Sequence, residues 1–273
     1  MSAQSEHPFI ERLSSEFVFS DSNEIARRNL SHALSQVVAR NWLTPAGGGF
    51  ISQQLIVSLN RIITKNQADR SLDLPGLRRV LPNNGPYRLS NSFVLWDAPP
   101  SHRLRQLMDA QDRHLLSIQA IQQEPMPRTE LSDRKFSFHV AAYHQLERAL
   151  KKPMKETYYL APGPDLVPSL MERALQDAAT ASDKPMVEVA AKLMIDLFII
   201  HPFAVGNGRT VRVIGNILLF RAFGASGLLV LGDDDKGKQA YDQAVVASVR
   251  RHLAKHKYYW KPFVSFLKQQ LNQ

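Results

Sequence analysis

His201, Gly206, Asn207, Gly208, Arg209 and Arg212 lie within one short run, His201-Pro-Phe-Ala-Val-Gly-Asn-Gly-Arg-Thr-Val-Arg212. Each type suits work on a phosphate. Gly206 and Gly208 let backbone N–H groups approach an anion closely, and a helix opening near Asn207 aims its positive dipole end at the same place. Arg209 and Arg212, three apart, share one helix face, and their planar forks match phosphate oxygens. These cations disfavour imidazolium, which keeps His201 available as a neutral base near pH 7. A base beside a polyphosphate site describes phosphoryl or nucleotidyl transfer. The plainer reading is a helix start capped by Asn207 with solvated arginines. It accounts for each residue singly but not for their combination. Phe203 reads as an anchor packing the loop onto the core.

Two apolar runs must hold this loop, Leu193 to Ile200 before it and Val213 to Phe220 after it. Helical periodicity recurs at Ile25 to Val38, Ile51 to Ile63, Leu104 to Ile121, Val140 to Leu150, Val187 to Ile200, Val211 to Phe223 and Ala240 to Leu253, so the chain reads as mainly α. A polar, proline-bearing run near 124–135 places a boundary between a helical N-terminal region, 1–134, and a core, 135–273. Short β-like pieces stand at Tyr87 to Trp96 and Glu156 to Leu160. Gly237 to His256 reads as an amphipathic helix. Its basic end, Arg250 to Lys257, complements the helix dipole and stays in water. Tyr258 to Leu267 reads as a closing helix that covers the core.

With 44% hydrophobic and 22% charged residues, the 273-residue chain can bury a sizeable core. A formal charge of +9 suits nucleotides, nucleic acid, anionic membranes or acidic proteins. The basic residues are scattered without an aromatic-interleaved stripe, which favours a solvated basic surface over a nucleic-acid groove. The absence of cysteine excludes disulfides and thiolate chemistry. The N-terminus lacks a basic region followed by an apolar run, and Leu193 to Ile200 is too short to span a bilayer. The expectation is a soluble, cytoplasmic protein without a membrane partner, specialised export as an effector staying open.

The loop resembles the signature of Fic (filamentation induced by cAMP) proteins, His-Pro-Phe-x-Asp/Glu-Gly-Asn-Gly/Lys-Arg-x-x-Arg, within a likeness spanning roughly residues 135 to 235. Val205 stands where the family carries an acidic residue. The resemblance implies a mainly α, Fic-like helical core with a short β-hairpin flap and a helical N-terminal extension. It also implies a protein nucleotidyltransferase that places AMP from ATP on a Ser, Thr or Tyr hydroxyl of a target. In that scheme His201 is the base, while Gly206, Asn207, Gly208, Arg209 and Arg212 hold the nucleotide. Thr157, Tyr158 and Tyr159 form the flap, which holds an extended target segment. Tyr241 either stacks on the adenine or packs in the core. Glu24, in Ser20-Asp-Ser-Asn-Glu24, pairs with Arg212 as an inhibitory helix, or simply opens a helix. The family's acidic residue holds magnesium, and a valine offers no ligand oxygen. That leaves slow transfer, a carboxylate from elsewhere, or a repurposed scaffold. The scaffold would bind nucleotide or partner without turnover, or use another phosphate donor.

Overall fold

The computed structural model describes residues 7–16, 24–44, 50–65, 93–95, 158–162, 166–203, 206–231 and 235–271. The chain divides into two compact units. One comprises Met1–Arg70, Arg173–Phe198 and Val205–Gln273; the other comprises Ser71–Glu172 and Ile199–Ala204. The described residues are mainly helical: α1 (Pro8–Glu16), α2 (Glu24–Ala39), α3 (Gln53–Ile63), α4 (Val167–Thr180), α5 (Met186–Ile200), α6 (Asn207–Phe223), α7 (Asp235–Leu253) and α8 (Lys261–Gln270).

In the first unit the N-terminal helices form a chain of supports. α1 packs on α2, α2 on α3 and α3 on α6. α3 starts because the Ser52 hydroxyl accepts the Leu55 N–H, a side-chain N-cap. Leu55, Ile56, Leu59 and Ile63 then repeat on one buried stripe. The far end of α3 is closed from α2, where the buried Asn29 amide donates to the carbonyls of Ile63 at 3.3 Å and Lys65 at 2.6 Å. Arg12 of α1 donates to the Ala225 carbonyl at 3.0 Å, and Phe9 meets Phe220 edge to face at 5.5 Å. The Arg221 guanidinium donates twice to the Trp42 carbonyl, at 2.9 and 2.6 Å. The N-terminal extension thus holds both ends of α6.

α5 and α6 are the two buried helices expected around the loop. α5 is buried over most of its surface, its apolar sequence broken by Glu188, Lys192 and Asp196 at four-residue spacing along one side. A Cβ at Gly215 of α6 would come within 2.2 Å of the Met194 sulfur of α5, so a glycine is what lets these helices approach. Asn216 is buried in the apolar run of α6. Its amide donates to the Leu229 carbonyl at 3.3 Å and its oxygen accepts the Leu229 N–H at 2.7 Å, fixing the extended segment after a 3₁₀ turn at Gly224–Gly227. The basic end of α7 leads into α8, and α7 packs on α8. Among the described residues no helix is long and apolar enough to cross a membrane.

The second unit corrects the expected flap. Tyr158–Leu160 (β2) is not half of a local hairpin but pairs antiparallel with the distant β1, Phe93–Leu95, with Tyr158 opposite Leu95 and Tyr159 opposite Val94. The sequence explains why. Lys151 to Glu156 before β2 is charged and carries Pro153, and Ala161-Pro-Gly-Pro164 after it lacks two ladder donors. Neither flanking sequence favours a strand, whereas Phe93-Val-Leu95 does and pairs with β2. The two β-like pieces therefore make one ribbon. Thr157, the runs Leu104 to Ile121 and Val140 to Leu150, and the 134/135 boundary lie outside the described residues.

Candidate functional site

α5 ends at Ile200, and His201 follows with φ 47. A residue in the left-handed region just past a helix is usually glycine, and proline commonly comes next. Here the position is His201, followed by Pro202, at a conformational cost of about 1 kcal/mol. Such strain in a non-glycine residue clusters at functional positions. His201 is half-buried and Phe203, beyond the proline, is buried.

In the first unit the loop continues at Gly206, which occupies the N-cap position of α6 with φ 78 and makes no side-chain cap. Two constraints meet there. The left-handed backbone favours glycine, and an added Cβ would lie 2.5 Å from Thr64 Cγ2 and 3.1 Å from the Asn60 amide nitrogen. The end of α3 therefore presses on the start of α6. A buried hydrogen bond fixes that approach: the Asn60 amide donates to Thr210 Oγ1 at 3.1 Å. Asn207, expected as a possible cap, is instead the buried first residue of α6. The helix opens without a side-chain acceptor at its cap, and the first N–H groups of a helix have no acceptor within it. Such a terminus receives anions. Gly208 sits in the first turn, where a Cβ would make only ordinary contacts, 3.9 Å from Arg212 and 4.0 Å from Phe198.

Arg212 is 6% exposed, and its guanidinium carbon stands 5.5 Å from the centre of the Tyr241 ring. Burial pushes its pKa down to about 10, with Tyr241 and Asp242 opposing the shift and Arg209 adding to it. It stays charged at neutral pH. Arg209, half-buried, is close enough for its charge to act on Arg212, so the structure brings the two arginines together as their spacing requires. Tyr241 of α7 is 1% exposed in an aromatic cluster, edge-on to Phe198 at 6.2 Å, Phe263 at 5.5 Å and Phe266 at 5.8 Å. Burial raises its phenol pKa, against the pull of Arg212. In this arrangement Tyr241 is a core residue and a platform under Arg212.

Glu24 opens α2 as an exposed first-turn residue, in keeping with the dipole of that helix. Tyr158 and Tyr159 lie in β2 of the second unit. Val205 lies outside the described residues. The stretch 201–212 contains no carboxylate, and among the described residues no three His, Cys, Asp or Glu side chains gather to hold an ion.

The supporting residues Asn29, Asn60, Thr210 and Asn216 are missing from the sequence reading. Their one signal is an amide or hydroxyl interrupting an apolar stripe, as in Leu55-Ile-Val-Ser-Leu-Asn60 and Val213-Ile-Gly-Asn216.

Residues 112–219 match the sequence model of the Fic/DOC family, a span that encloses the whole run from His201 to Arg212. No curated protein matches the chain. The match begins upstream of the expected likeness and ends before its expected close. Over residues 112–219, this chain is similar to the Fic/DOC family.

Proposed function

We propose that the chain is a protein nucleotidyltransferase that moves AMP from ATP to a Ser, Thr or Tyr hydroxyl of a protein target. The observation that carries this reading is one run, inside the family-matched segment, that joins a histidine held at positive φ to an uncapped, glycine-opened helix bearing two neighbouring arginines. His201 takes the proton of the target hydroxyl, and that oxygen attacks the α-phosphorus. The bond from α-phosphorus to the oxygen bridging to the β-phosphate breaks, and pyrophosphate leaves. The products are a phosphodiester-linked AMP on the target and a protonated His201. Asn207 and the first N–H groups of α6 hold the α-phosphate, while Arg209 and Arg212 offset charge that moves onto the leaving pyrophosphate. No step is routed through a metal ion.

Val205 supports a second reading, in which the same arginine-lined loop binds nucleotide or a partner without turnover. One experiment tests both: a lysate is incubated with ATP and either the natural chain or Val205→Asp, and peptides are searched by mass spectrometry for AMP on hydroxyl side chains. Modified peptides with the natural chain support the transferase. Modified peptides with Val205→Asp alone show a scaffold that has lost turnover, and none with either chain removes the AMP-transfer reading.

A further inference from the structure

The end of α7 and the turn into α8 form a surface that the transferase reading does not use. From Gln243 to Gln273 the chain carries Arg250, Arg251, Lys255, Lys257, Lys261 and Lys268 and no Asp or Glu. All six of these cations are exposed, as is His256. A helix dipole explains cations only within the last turn, and Lys257 and Lys261 stand beyond it. The turn is also held at a conformational cost. Lys255 has φ 58, a place usually filled by glycine, while the His256 N–H donates to the Arg251 carbonyl at 3.0 Å and closes the helix.

The aromatic residues of the same turn divide. Trp260 is buried, and Tyr259 donates its hydroxyl to Asp196. Tyr258 does not join the core as the sequence reading expects, and is 45% exposed. Ile25 is the only other large hydrophobic residue so exposed among the described residues. The ammonium groups of Lys257 and Lys261 stand 5.4 and 4.9 Å from the centre of the Tyr258 ring, and Trp260 meets it edge-on at 5.8 Å. An exposed ring set edge-on to Trp260, with two flexible cations over it and more along the same turn, offers a base a stacking partner and the flanking phosphates their counter-charges.

We propose that this surface binds single-stranded nucleic acid, Tyr258 stacking on a base while Lys257, Lys261, Lys255 and Arg251 neutralise the backbone. An acidic polypeptide would use the cations and have no need of the ring. A bilayer would require more than one exposed apolar side chain for its acyl region.

The test uses the full chain and a fluorescein-labelled oligo(dT) of about 20 nucleotides, with anisotropy followed between roughly 50 and 200 mM salt. Tyr258→Ala is expected to weaken binding by roughly 5- to 100-fold while Tyr258→Phe retains it. Replacing both Lys257 and Lys261 by Gln should flatten the salt dependence by about 1.4 in slope, at about 0.7 per phosphate contact. Circular dichroism confirms that each variant folds. The proposal is overturned if the oligonucleotide does not bind at the lower salt, or if Tyr258→Ala binds as the natural chain does. It is equally overturned if polyglutamate, or phosphatidylcholine vesicles containing phosphatidylserine, bind as tightly as the oligonucleotide. None of these outcomes depends on the transferase reading, because no residue of the run 201–212 is altered.

Discussion

Gly206→Ala perturbs the joint between the N-terminal extension and the helix that bears the arginines. Two independent penalties follow from the structure. At φ 78 an alanine sits in the left-handed region, which costs about 1 kcal/mol relative to glycine. Its Cβ would also approach Thr64 Cγ2 to 2.5 Å and the Asn60 amide nitrogen to 3.1 Å, overpacking worth roughly 1–3 kcal/mol. The sum, roughly 2–4 kcal/mol, corresponds to a fall in Tm of about 4–16 °C in a protein of this size. The two penalties separate in a double-mutant cycle with Thr64→Ser. Serine keeps the hydroxyl that donates to the Asn60 carbonyl at 2.8 Å and removes only the clashing methyl. In the Gly206→Ala background it should recover roughly 1–2 kcal/mol of the loss, measured by urea unfolding, and leave the backbone penalty of about 1 kcal/mol in place. A coupling below about 0.5 kcal/mol would refute the steric argument. Gly206→Ala with no loss of stability would refute the placement of α3 against α6.

His201→Gly should be about 1 kcal/mol more stable than His201→Ala, because glycine relaxes the φ of 47 that alanine retains; equal unfolding midpoints would remove the strain argument. Asn60→Ala should cost roughly 1–3 kcal/mol by stripping Thr210 of its buried partner. A cycle with Thr210→Val should return a coupling of about 1 kcal/mol, and full additivity would count against that bond. Burial lowers the pKa of His252 below 6.5, Asp196 opposing and Lys192 adding to the shift. The folded state then binds this proton less readily than the unfolded state. Its contribution to stability is complete above pH 6.5 and is lost as pH falls through the lowered folded value. Thermal melts between about pH 5 and 8 should show a smaller acid loss for His252→Gln than for the natural chain; parallel curves would exclude this histidine as a source of the slope.

How much of this the sequence reveals depends on whether a feature is local. The apolar runs of α5 and α6 and the glycines at the loop announce themselves, because helical burial and turn chemistry are written in adjacent residues. The motif that carries the family match is also contiguous. Non-local pairings are not legible in that way. Tyr158–Leu160 reads as half of a hairpin until Phe93–Leu95, far upstream, takes its hydrogen bonds. Arg212 reads as one of two arginines on a helix face, and its burial against Tyr241, a partner one helix further on, is not written in its neighbours. The need for glycine at position 206 is visible as a turn signal, whereas its second cause, the end of α3, is not. Tyr258 and Trp260 share one apolar-looking run, and only the turn before α8 decides which faces water.

The most direct test of the central claim is transfer of label from α-³²P-ATP to protein in a lysate, with the natural chain run beside His201→Gly. That variant removes the imidazole and, by losing Cβ, also relieves the backbone. Labelling by the natural chain that His201→Gly abolishes, with its fold intact by circular dichroism, is the predicted result. Undiminished labelling by His201→Gly, or none by the natural chain, would contradict the assignment of this loop as a nucleotidyl-transfer site with His201 as its base.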